Sequence, residues 1–145
     1  MQFSLLTLLG VVTIVAVILG ILPIVRLELA LRALSNNDIK VDGGYLGLRV
    51  DLESQAAEQL KRIGPKANNA LERAIADSER FAAAHILLSE INNERQSSYG
   101  ESASHWNNMR ITLHADGSVD FHAEQIPKLQ AFWRDRLAKK LPPAS

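Results

Sequence analysis

Cysteine is absent from the chain, which excludes disulfides, thiolate zinc ligands and cysteine nucleophiles but leaves the compartment open, because proteins on either side of a membrane lack it. Net charge is absent as well. The 16 Lys and Arg balance 16 Asp and Glu, which argues against a general electrostatic affinity for nucleic acid or anionic surfaces and leaves only local patches. Aromatic residues are few, at 6%. No phosphate-cradling loop is visible, since Gly43-Gly44 and Gly47 lack the Lys-Ser/Thr of a P-loop. No Gly-x-Ser-x-Gly elbow occurs either; Ser97, Ser98 and Ser102 fall in a polar stretch with no assignable base. The most informative absence is local: residues 1–25 carry no charged side chain.

That segment is what the chain has instead. Residues 3–25 are dominated by Leu, Val and Ile, and as a helix they reach about 35 Å at 1.5 Å per residue, enough to cross a hydrocarbon core of about 30 Å with some tilt. A buried helix of a soluble protein rarely runs uncharged for this length. A secretory signal would carry a basic n-region, a shorter apolar core and a small-residue cleavage site. Only Gln2 lies between Met1 and the run, and the residues after it (Arg26, Glu28, Leu29, Leu31, Arg32) contain no Ala-x-Ala. The expectation is a single transmembrane helix. Arg26, Arg32 and Lys40 follow it, and since basic flanks resist translocation the soluble part is expected on the cytoplasmic side. Pro23 sits near the exit of the span, and Ala16 and Gly20 form one small-xxx-small pair through which two copies could approach.

About 120 residues remain, one small domain by size. The apolar pattern continues through Leu27, Ala30, Leu31 and Leu34 before Ser35-Asn36-Asn37-Asp38 stops it, so residues 1–34 read as the membrane helix and its extension. Residues 35–50 read as a linker with a short strand around Tyr45, Leu46, Leu48 and Val50. A helix is then expected from Asp51, with Leu52, Ala56, Leu60 and Ile63 on one face. Gly64-Pro65 closes it, because glycine suits the position past a helix end and proline the first position of the next. Ala67, Ala70, Leu71, Ala74 and Ile75 give a second helix its stripe. Asp77-Ser78 supplies a break and an N-cap, and Phe81, Ala84, Leu88 and Ile91 carry a third helix to Asn92-Asn93.

The string Leu60-Lys61-Arg62-Ile63-Gly64-Pro65-Lys66-Ala67, followed by Leu71, Ala74, Asp77 and Phe81-Ala82-Ala83-Ala84, resembles a HEAT-type repeat over residues 52–92. The resemblance implies a packed helix pair and a protein-binding role. No second copy follows at a period of about 40 residues, so the extended concave surface of a HEAT array is not expected.

Beyond the polar stretch 92–104 the pattern alternates. Ile111, Leu113, Val119 and Phe121 flank Ala115-Asp116-Gly117, and a three-residue turn with Gly117 left-handed puts all four apolar side chains on one face of a hairpin at 109–123. Ile126, Leu129, Trp133 and Leu137 then mark a last amphipathic helix with Pro127 near its start. The soluble domain is thus expected over 51–141, with 142–145 a tail. The fold class is mainly α: a transmembrane helix, a small HEAT-like helical domain, a β-hairpin and a C-terminal amphipathic helix.

Candidate chemistry is sparse. His85 shares the core face of its helix with Phe81 and Leu88, which fits a hydrogen-bonded structural histidine better than a ligand. His114 and His122 lie on opposite strands about four pair positions apart, roughly 13 Å at 3.3 Å per residue, too far to share a metal held at about 2 Å. His105, beside Trp106, has no assigned place. Glu90, Glu94 and Glu101 read as solvated carboxylates. No catalytic, cofactor or metal residue is therefore assigned. The most distinctive surface is the last helix, where Arg134, Arg136, Lys139 and Lys140 accompany Phe132 and Trp133. The bland reading is that cations complement the negative end of the helix dipole; the functional one is contact with a partner or with anionic headgroups. Nucleic acid is not expected. Together these readings favour a non-enzymatic, membrane-tethered interaction or scaffold module with a protein partner. A self-associating envelope protein and, further off, a small hydrolase are the alternatives.

Overall fold

The structure is a computed structural model and describes residues 5–44, 47–94 and 105–140. It is mainly helical with small antiparallel strand pairs. Helix α1 (Leu5–Ala33) leads through a short 3-10 turn (Asn36–Asp38) into the hairpin β1 (Ile39–Gly44) and β2 (Gly47–Leu52). Three helices follow: α2 (Gln55–Ile63), α3 (Asn68–Ala74) and α4 (Phe81–Ile91). Strands β3 (His105–Trp106), β4 (Met109–Leu113) and β5 (Val119–Phe121) make a small sheet in sequence order, and α5 (Ile126–Lys140) closes the chain.

Helix α1 ends one residue before the Leu34-Ser35 boundary expected from its pattern. Its last turns are not a free extension, however. Ala30, Leu31 and Leu34 are buried in the core and Leu27 packs against it, so the end of the apolar helix is part of the soluble domain. The stretch read as a linker is also structured: β1 and β2 pair in register from Ile39↔Leu52 to Gly44↔Gly47. Asp51 and Leu52 belong to β2, which moves the start of α2 from Asp51 to Gln55. There the Ser54 hydroxyl accepts from the Ala57 amide, satisfying one of the donors a helix start leaves open. Tyr45 and Leu46 lie outside the described residues.

Gly64 ends α2 at a φ of 66°, a conformation glycine adopts without the Cβ clash that penalises other residues. Pro65 then starts a 3-10 turn (Gly64–Ala67) leading into α3. The break before α4 falls at Asp77-Ser78 as expected, with the Asp77 carboxylate accepting from the Glu79 amide. The cap does not. Arg80 occupies the cap position without a side-chain capping bond, and the Asn36 side-chain oxygen instead accepts from the Ala82 and Ala83 amides at 3.0 and 3.1 Å. A residue expected only to stop one helix thus caps another 46 positions later.

Helix α4 is buried from Phe81 to Ser89 on every side, where its pattern suggested a single apolar face; a helix apolar all round belongs at the centre of a domain. Around it sit α2, α3, the end of α1, β4 and α5, which contribute Leu60, Leu71, Leu31, Met109, Ile111, Leu129 and Trp133 to one core. The β4–β5 hairpin has the expected register, Ile111↔Phe121 and Leu113↔Val119, with Gly117 at a φ of 84°. At its exposed end, Leu113 is 37% accessible.

Candidate functional site

The strongest concentration of polar chemistry is buried. His85 comes from the middle of α4 and is completely inaccessible. Trp133 of α5 donates its indole N–H to His85 Nδ1 at 2.8 Å. An acceptor nitrogen carries no proton, so Nε2 holds it and donates to the Asn107 carbonyl at 2.9 Å. The neighbours thereby select one neutral tautomer. Burial pushes the His85 pKa down to about 4, against a smaller upward pull from the Asn107 carbonyl. Asn107 returns to the same helix: its side-chain amide donates to Ser89 Oγ at 2.6 Å, and Ser89 donates to the His85 carbonyl. Trp106 and Phe132 pack edge-on against the imidazole.

Asn107 and Asn108 can present these groups because they form a two-residue turn between β3 and β4, with φ of 45° and 68°. Two successive positive φ values are the mark of a type I′ hairpin turn, where asparagine is among the few residues tolerated. This also gives His105 its place: it pairs with Arg110 in β3. The hairpin was missed in the sequence, although Asn107-Asn108 flanked by Trp106 and Met109 was its signal.

This constellation locks three elements together. Both ring nitrogens of His85 are engaged and Ser89 faces a carbonyl rather than the imidazole, so the histidine is not placed to take a proton from Ser89. On the surface hairpin, His114 binds Asp120 at 2.7 Å and His122 binds Thr112 at 2.8 Å, each within its own pair. The hydrogen bond and charge of Asp120 raise the His114 pKa. Among the described residues no group of three or more His, Asp or Glu comes together as a metal site, and no buried side-chain polar atom lacks a partner.

Helix α5 divides the residues that its composition grouped as one surface. Trp133 is fully buried and is a core residue, not a surface contact. Arg136 bonds Glu94 at 2.6 Å and lies over the Phe132 ring; Arg134 faces Glu72 at 3.7 Å and Lys139 meets Asp135 at 2.7 Å. Each described cation of the patch therefore already has a carboxylate. Lys140 closes the helix, and its side chain lies outside the described residues, as do Ser97, Ser98, Glu101 and Ser102. Glu90 and Glu94 are not solvated helix-end carboxylates either. Glu90 bonds Lys61 of α2 at 2.9 Å, and both acids are largely covered.

An open cleft of about 480 Å³ lies between β2 and the helices, lined by Arg49, Asp51, Glu53, Glu58, Lys61 and Glu90 among others. Partial burial works against the Lys61 charge, but hydrogen bonds and attraction to Glu90 and Glu58 outweigh it and raise its pKa. Arg49 pairs with Asp51. Two cations of the lining thus face four carboxylates, of which Glu53 bonds Lys40 from outside the lining.

The first half of α1 is a different kind of surface. Val11, Val12, Val15, Val17, Ile21, Leu22, Ile24 and Val25 are exposed, and the helix is long and apolar enough to cross a membrane. Comparisons with family models, curated proteins and solved structures returned no match.

Proposed function

We propose that the chain is a single-pass membrane protein whose α1 spans the bilayer and whose helical domain, held at the surface, is an interaction module for a protein partner. The observation that carries the tether is the join in α1: an uncharged half exposed on all sides continues without a break into Ala30 and Leu31, which are core residues of the domain. At about 100° per residue, the exposed side chains point in every direction, so one protein face would not cover them, whereas lipid would. A soluble core helix would be covered, yet only 13% of the apolar stretch within Val11–Ala33 is buried. A cleaved signal would not be expected to merge into the packing of the mature domain.

Alkaline extraction of membranes tests this. The full chain is expected to stay in the membrane fraction, and Val15→Arg with Ile21→Arg, each costing about 2.5–3.5 kcal/mol at the centre of a span, to release it. Recovery of the unaltered chain in the supernatant would overturn the proposal.

The interaction half rests on the helical unit α2–α4 in the part that resembles a HEAT repeat, and on Arg26 and Arg32, which favour a cytoplasmic domain. Purification of the tagged full chain in mild detergent should recover a stoichiometric second protein. A second reading is favoured by Ala16 and Gly20, both exposed in the span, where a Cβ at Gly20 would meet nothing within the chain. It is self-association, expected as a cross-linked dimer in detergent that Ala16→Leu with Gly20→Leu abolishes.

A further inference from the structure

The structure also indicates which end of the domain faces the bilayer. The Glu53 amide donates to the Asp38 carbonyl, which places the start of α2 beside the exit of α1. Asn36 caps the start of α4 at the same level. Lys61, in the last turn of α2, bonds Glu90, in the last turn of α4, so these two helices run side by side and end together. Helix α1 packs along α2, and its packed residues extend back from Leu34 to Leu27. Moving toward the apolar half of α1 therefore means moving toward the far ends of α2 and α4. Leu27 is only about 3 Å of helical rise from Val25, the last residue of the uncharged run. The α2–α3 corner thus points back at the surface from which α1 emerges.

Arg26, Arg62, Lys66, Arg73 and Lys128 have no carboxylate partner among the described residues, and the first three lie toward that corner. Arg26 on α1, Arg62 in the last turn of α2 and Lys66 in the turn before α3 are exposed. We propose that Arg26, Arg62 and Lys66 form a docking face for anionic lipid headgroups, which holds the domain flat on the membrane. The inference rests on the membrane-tether reading. It replaces the ion-paired cations of α5 as the headgroup contact, and it needs no net positive charge, because only cations within a Debye length of the surface count.

Because the chain has no cysteine, Asn69→Cys, exposed on the first turn of α3, gives one thiol for a fluorophore beside the corner. The full-length labelled protein is reconstituted into vesicles carrying a headgroup-attached quencher, in pure phosphatidylcholine or with phosphatidylglycerol added. At about five-fold per cation, the docked-to-undocked ratio is expected to rise by more than ten-fold in the anionic vesicles and to fall back in strong salt. Arg62→Gln with Lys66→Gln should cut the rise to the roughly five-fold or less that Arg26 alone supplies. Lys128→Gln, an exposed cation at the opposite end of the domain in the first turn of α5, should leave it intact. Equal quenching in both lipids, or an undiminished rise in the double variant, would overturn the docking face while leaving the tether standing. A labelled protein that fails to float with any vesicle would remove the tether reading itself, and the docking face with it.

Discussion

At the scale of single residues, the His85–Trp133–Asn107 lock makes the sharpest predictions. Trp133→Phe keeps most of the ring packing but leaves His85 Nδ1 buried without its donor, and should cost about 1–3 kcal/mol in denaturant unfolding. Removing the Asn36 side chain by Asn36→Ala strips the cap from α4 and should cost about 1–2 kcal/mol by the same measurement. The pH dependence follows from the sign of the His85 shift. Its folded pKa, about 4, lies below the unfolded value of 6.5, so the unfolded state binds the proton first as pH falls. Stability is therefore full above pH 6.5 and declines toward pH 4, by about 3 kcal/mol for this group. His114 works in the opposite direction: its raised pKa adds stability below the unfolded value that is lost as pH rises through the folded one. Unfolding midpoints between pH 4 and 8 should decline toward acid, and the decline should flatten in His85→Phe. The histidine's structural role was legible in its spacing from Phe81 and Leu88. Its partners were not, because they lie 22 and 48 positions away.

At the scale of elements, legibility followed locality. The β4–β5 hairpin and the Gly64-Pro65 break were readable because alternation, a left-handed glycine and a helix-starting proline all act within a few residues. The β1–β2 hairpin was not, because Gly43, Gly44 and Gly47 carry no side-chain pattern and the pairing of Asp51 with Lys40 is a contact between segments. Leu52 and Ala56 have helical spacing, yet Leu52 sits in a strand, where tertiary pairing overrode the local signal. The lower end of α1 makes an element-scale prediction. Leu31→Ala and Leu34→Ala, both core positions, should each cost about 2–5 kcal/mol of domain stability, measured by urea unfolding in detergent. A change below about 0.5 kcal/mol would mean that α1 does not complete the core.

For the whole molecule, the consequence is that the apolar helix and the domain share residues. A chain beginning at residue 26 keeps Leu27, Ala30, Leu31 and Leu34 and is expected to be soluble and to melt cooperatively by circular dichroism. One beginning at residue 36 loses those side chains and should show no cooperative melt. The boundary between the uncharged run and the domain therefore lies inside a helix, at its first charged residue, Arg26.

The sequence by itself determined the apolar N-terminal helix, the mainly helical class and the local breaks, because hydrophobic run length, helical periodicity and turn chemistry are properties of neighbouring residues. Only the tertiary structure decided that Trp133 is interior, that the described cations of α5 near its end are ion-paired, that Asn36 caps a distant helix and that Arg26, Arg62 and Lys66 have no carboxylate partner among the described residues. Burial and charge pairing depend on which segments the fold brings together, and one-dimensional spacing does not carry that information.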